Sequence, residues 1–127
     1  MARDIITVNN YTYEATDSAG VVAITPKAVS VANGIEIQKA FANKDNSLKI
    51  TVNNTGSSAS TMIIKAGQKQ NAILGDCTIA IATGINEVAL NRDMARFENR
   101  DGSVYIDFGA GFAGTIHACA EKAGLGS

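Results

Sequence analysis

Apolar and polar residues alternate one by one through most of this chain, and that period of two constrains its fold more than any other feature. In an extended strand successive side chains point to opposite faces, so Leu48, Ile50 and Val52 fall on one side while Lys49, Thr51 and Asn53 fall on the other. The same reading predicts strands over residues 4–8, 21–25, 48–53, 61–65, 77–82, 85–90, 103–108 and 115–120, and Ile35 and Ile37 alternate with Glu36 and Gln38 in one more. No window keeps an apolar stripe at helical spacing over three turns, and residues 39–46, where the alternation fails, have room for one short helical turn.

Turn residues separate these runs. Asn33-Gly34, the stretch 54–58, Ala66-Gly67 and Gly84 each end an alternating segment, and Pro26 removes a ladder donor and so marks an edge or a bend. Asp101-Gly102 between residues 95–97 and 103–108 predicts a β-hairpin whose loop is 98–102. With no internal repeat or linker, the 127 residues read as one all-β domain. The expected architecture is an antiparallel β-sandwich or jelly-roll-like fold of 8–10 short strands, with a small barrel as its variant. Residues 1–40 are left open between strands and an extended N-terminal arm.

Charge narrows the function classes. Eleven Lys and Arg stand against 12 Asp and Glu, which is no electrostatic footprint for nucleic acid or an anionic membrane. There is no Trp and only 6% of residues are aromatic, so stacking platforms for sugars are scarce. No apolar stretch approaches the roughly 18 residues of a spanning helix, and the charged Arg3 and Asp4 come within the first four residues, so the expectation is a soluble chain made in the cytoplasm. Cys77 and Cys119 lie in alternating runs and read as buried thiols, with a cross-strand disulfide as the lesser alternative. Neither belongs to a C-x-x-C pair, which disfavours zinc. The Asn-x-Thr triplets at Asn10 and Asn53 read as turn asparagines.

Several motifs invite a catalytic or binding reading and fail on context. Gly109, Gly111 and Gly114 spell G-x-G-x-x-G after a strand, yet only 13 residues follow, too few for the helix, second strand and acidic residue of a dinucleotide site. The glycines read as a sharp turn or a close approach of backbone. His117, the single histidine, alternates with Ile116 and Ala118 as a structural or surface residue does. Ser57, Ser58 and Ser60 sit in a turn-rich loop without a nucleophile elbow. Asp101 is claimed by a turn, and Asp107 falls on the polar face of its strand. Arg92, Arg96 and Arg100 beside Asp93, Glu98 and Asp101 read as mutual surface pairing. No catalytic, metal or cofactor site is expected, and Tyr11, Tyr13, Phe41 and Phe112 are the aromatics singled out as interface candidates.

Three blocks in order, LKITVNNTGSSASTMIIKAG at 48–67, LGDCTIAI at 74–81 and ARFENRDGSVYIDFGAGFAGT at 95–115, resemble the small β-sandwich decoration (auxiliary capsid) proteins of tailed bacteriophages, the likeness covering residues 45–118. The resemblance implies a non-enzymatic virion structural protein bound to the outer capsid surface and stabilising it. Its implied partners are the major capsid protein and further copies of the chain in a homo-oligomer, a trimer by preference, with no direct contact to nucleic acid or membrane. The alternatives are a phage tail or tail-tube component, or a carbohydrate-binding β-sandwich module.

Overall fold

The computed structural model describes residues 2–10, 12–13, 20–40, 46–68, 73–90 and 96–122. Its strands are β1 (Asp4–Asn10), β2 (Thr12–Tyr13), β3 (Gly20–Val21), β4 (Lys27–Ala28), β5 (Ile35–Gln38), β6 (Asn46–Asn54), β7 (Ser60–Ile64), β8 (Cys77–Ile81), β9 (Gly84–Leu90), β10 (Val104–Phe108) and β11 (Gly114–Lys122). All but three short ones, β2, β3 and β4, form a single hydrogen-bonded path in the order β8-β7-β10-β5-β1-β11-β6-β9, and β4 pairs with β11 beside it. The all-β expectation holds, and the strand count reaches eleven because β2, β3 and β4 are two residues each.

The path bends back on itself at β1. Asp4–Thr7 pair in parallel with Ile35–Gln38 of β5, and Val8–Asn10 pair in parallel with Ala118–Ala120 of β11. Every other pairing is antiparallel, so β1 is the departure from the expected antiparallel pattern. Residues 1–40 therefore contribute a central strand of the domain and not only an arm. The inner faces on either side of β1 meet in one core: Ile35, Ile37, Met62, Ile64, Val104 and Ile106 from one half, Leu48, Ile50, Val52 and Ile116 from the other. Each of these side chains is fully buried, and each withdraws apolar area from water worth about 1.5–3 kcal/mol.

Two ends of the path meet in sequence without meeting in the ladder. β8 and β9 are joined through Ala82-Thr83, where the Asn86 side chain both accepts from the Ala82 amide and donates to the Ala82 and Gly84 carbonyls. They do not pair with each other, so both terminal strands keep one unpaired edge among the described residues. Asn54, read from sequence as the start of a loop, is instead a buried fastener at this corner. Its amide donates to the Ser58 and Ile81 carbonyls, and its carbonyl oxygen accepts from Gly56 N–H.

Three local expectations need correcting. The hairpin at Asp101-Gly102 does not form: the turn does, with Asn99 N–H donating to Ser103 and Gly102 N–H to Asn99, but residues 96–98 are not a strand. Both edges of β10 are already occupied by β5 and β7, and the 96–98 segment hydrogen-bonds Gly67 and Gln68 instead. Of the expected 21–25 strand only Val21 pairs, as the second residue of β3, and β4 begins immediately after Pro26. The arginine pairing also differs. Arg96 donates to the backbone carbonyls of Leu74, Gly75 and Asp76 and packs on the Phe97 ring, clamping the chain before β8. Asp107 lies on the polar face of its strand as expected, and there it is ion-paired with Arg3. Arg92 and Asp93, and most of the 39–46 stretch with its expected helical turn, lie outside the described residues.

Candidate functional site

The outer face of β9-β6-β11 carries a group of polar side chains turned away from the core. Alternation along β11 sends Ile116 and Ala118 into the core and leaves Thr115, His117 and Cys119 outside and half-buried. Register then places Asn53 and Ile85 in one cross-strand row with Thr115, Thr51 and Glu87 in a row with His117, and Lys49 and Ala89 in a row with Cys119. Along the other edge of β11, β4 covers residues 115–116 and β1 covers 118–120.

Between these two partial neighbours opens a cleft of about 350 Å3, lined by Ile5, Thr7 and Asn9 of β1, by Thr25, Pro26 and Lys27, and by His117. A smaller cleft of about 150 Å3 continues it across Pro26, with Thr51, Asn53, Ile85, Thr115 and again His117 on its walls. Pro26 produces this division, since without an amide hydrogen it cannot extend the ladder to β11, and the pairing stops at two residues.

Hydroxyls, amides, one lysine and one imidazole make a surface suited to binding. Neither cleft is lined by a carboxylate, serine or cysteine that would complete a base–nucleophile relay with His117. The nearest thiol on that face, Cys119, is two residues along the strand, about 7 Å by strand rise and beyond hydrogen-bond reach. Burial, and secondarily the Glu87 carboxylate, push its pKa up, the reverse of nucleophile activation. It and Cys77 are free thiols, so the disulfide alternative is not realised.

The glycine motif is a connection. Gly111 turns the chain with φ 86°, Phe112 N–H donates to Gly109, and a side chain at Gly114 would strike the Asn53 carbonyl oxygen. These three glycines are required by a turn and by close packing, with no phosphate cradle involved.

Of the interface aromatics, Phe112 is corrected: it is buried and its ring stacks on Phe108 at 4.4 Å, because the Gly109–Gly114 connection folds it under the end of the sheet. Tyr11 and Phe41 lie outside the described residues, as does the side chain of Tyr13. Among the described residues the most exposed large apolar groups are aliphatic and were not singled out from sequence: Ile73 is 91% exposed, Ile85 76%, Val21 68% and Leu74 59%. For Ile85 a signal existed, since it shares strand parity with Glu87 and Ala89 and not with the core residue Leu90. Ile73 and Leu74 lie just before β8 and Ile85 lies in β9, the two strands with unpaired edges, whereas Val21 lies in β3.

Comparison with family models, curated proteins and solved structures gives no match for this chain.

Proposed function

We propose that this chain is a non-enzymatic virion structural protein that binds the outer surface of a tailed-phage capsid and stabilises it, working as a homo-oligomer against the major capsid protein. The observation that carries the reading is the occurrence together of open strand edges and exposed aliphatic side chains, Ile85 within β9 and Ile73 and Leu74 just before β8. Unpaired edges and apolar groups of this kind are ordinarily covered by another subunit. The three sequence blocks that resemble decoration proteins supply β6, β7, β8, β10 and the start of β11, the strands next to that rim.

Attachment through many symmetric copies offsets a modest affinity per site. Sedimentation of the purified protein with empty expanded heads tests the reading. Binding at a fixed ratio, with a raised temperature of head rupture, is expected, and Ile85→Asp is expected to weaken binding at least tenfold by placing a charge in the contact. Protein that neither co-sediments nor changes rupture sinks it.

The two open edges also favour a tail or tail-tube component as the second reading. An edge β8 of one copy against β9 of the next is a head-to-tail contact, and such contacts close into rings or tubes. Rings in electron micrographs of the protein alone select this reading over the first.

A further inference from the structure

The strand that joins the two halves is held in an unusual way. β1 is parallel to both β5 and β11, so neither pairing is a hairpin, and the chain runs from residue 10 to residue 35 before it reaches the first of them. No tight turn sets its place. Of its described side chains only Ile6 is buried, with Val8 partly packed, while Ile5 is 52% exposed. By contrast β10 buries Val104, Ile106 and Phe108 in five residues.

Main-chain ladders and polar locks retain β1. Arg3 ion-pairs with Asp107, donates to the Ile106 carbonyl and lies over the Tyr105 ring. Asp4 N–H donates to Gly34, its carboxylate accepts from the Asn33 amide, and Asn9 donates to the Ala118 carbonyl. These are the features of a site that recognises an extended peptide by strand addition, with affinity from backbone hydrogen bonds and register from polar contacts at each end.

We infer that the slot between β5 and β11 is a strand-acceptor site, filled in an assembly by β1 of a second copy of this chain. Exchange conserves every ladder bond and polar lock just described, and of β1's own described side chains only Ile6 has to leave a buried position while the strand is out. Each copy gives one strand and accepts one, so the exchange closes in a symmetric oligomer. The inference stands apart from capsid binding and is tested without heads.

Register supplies the test, since Asn9 lies directly across from Cys119 and both face outward. Strands at about 4.8 Å separation place such a pair within disulfide range. One form of the full chain carries Asn9→Cys with Cys77→Ser and Cys119→Ser; the other carries Cys77→Ser alone. Within either form no cross-link between position 9 and Cys119 is possible. After co-refolding and mild oxidation, the expected product is a mixed dimer of about twice the 13.2 kDa chain mass, with position 9 joined to Cys119 by peptide mapping.

A second pair, Thr7→Cys in one form and Gln38→Cys in the other, with both native cysteines changed to Ser, repeats the experiment at the β5 side. A mixed dimer from either pair supports exchange. Its absence with both pairs, when single chains carrying both members of a pair cross-link internally, overturns the inference.

Discussion

Lys39 has φ 49°, the one described non-glycine residue in left-handed backbone, just where β5 ends and Ala40 N–H turns to donate to Gly102. A side chain costs about 1–2 kcal/mol in that region, partly offset by the greater unfolded-state freedom of glycine. Lys39→Gly is therefore expected to stabilise the fold by about 0.5–1 kcal/mol, seen as a higher urea midpoint at unchanged slope. Asp101 behaves differently because its contribution depends on charge. Its carboxylate accepts from the Ser103 hydroxyl and then the Ser103 amide, and these bonds hold its pKa below the usual aspartate value. A depressed folded pKa gives stability that is present above the unfolded value of about 3.9 and is lost as pH falls through the folded one. Asp101→Asn should thus be less stable than the parent near neutral pH, with the gap closing in acid. Asp76, also lowered by the Ala66 amide and Lys65, titrates in both proteins and cancels from the comparison. Equal gaps in urea melts at neutral pH and below about pH 3 would show that charge plays no part.

Strand alternation can be tested at the level of the element. Ile106 of β10 is fully buried between the two halves, whereas Ile85 of β9 is largely exposed. Ile106→Ala should cost about 2–5 kcal/mol by loss of burial and the cavity left behind. Ile85→Ala should stay within about 0.5 kcal/mol. A large loss for the second change in denaturant melts would mean that Ile85 is covered in the isolated protein. The period of two located β5 through β11 to within a few residues, but the outward face of Ile85 was not drawn from it although its parity signalled it. It failed at residues 95–97, because a turn signal says that the chain reverses but not that a free strand edge awaits it. β10 had no edge to offer.

At the scale of the whole molecule, the open edges of β8 and β9, the exposed aliphatic side chains near them and a β1 with one buried apolar side chain are the features on which the proposed contacts between copies rest. The mass in solution is the decisive observation. If the rim or the slot is used between copies, sedimentation equilibrium should give a multiple of 13.2 kDa that Ile85→Asp reduces where the rim is the contact and leaves unchanged where β1 exchange is. A monomer at every concentration would leave capsid docking to single copies and remove both contacts between copies.

By itself the sequence determined that this chain is all-β, which residues of strands such as β6 face the core, and that the G-x-G-x-x-G run is a connection, because alternation and turn chemistry are local properties. Which strands neighbour one another was decided only by tertiary structure. The parallel placement of β1 between β5 and β11 joins residues more than a hundred positions apart, and no local pattern records it. The clefts on either side of Pro26 follow from the same long-range packing, since the larger is walled by β1 and β11 and the smaller by β6, β9 and β11, strands that become neighbours only in the folded sheet.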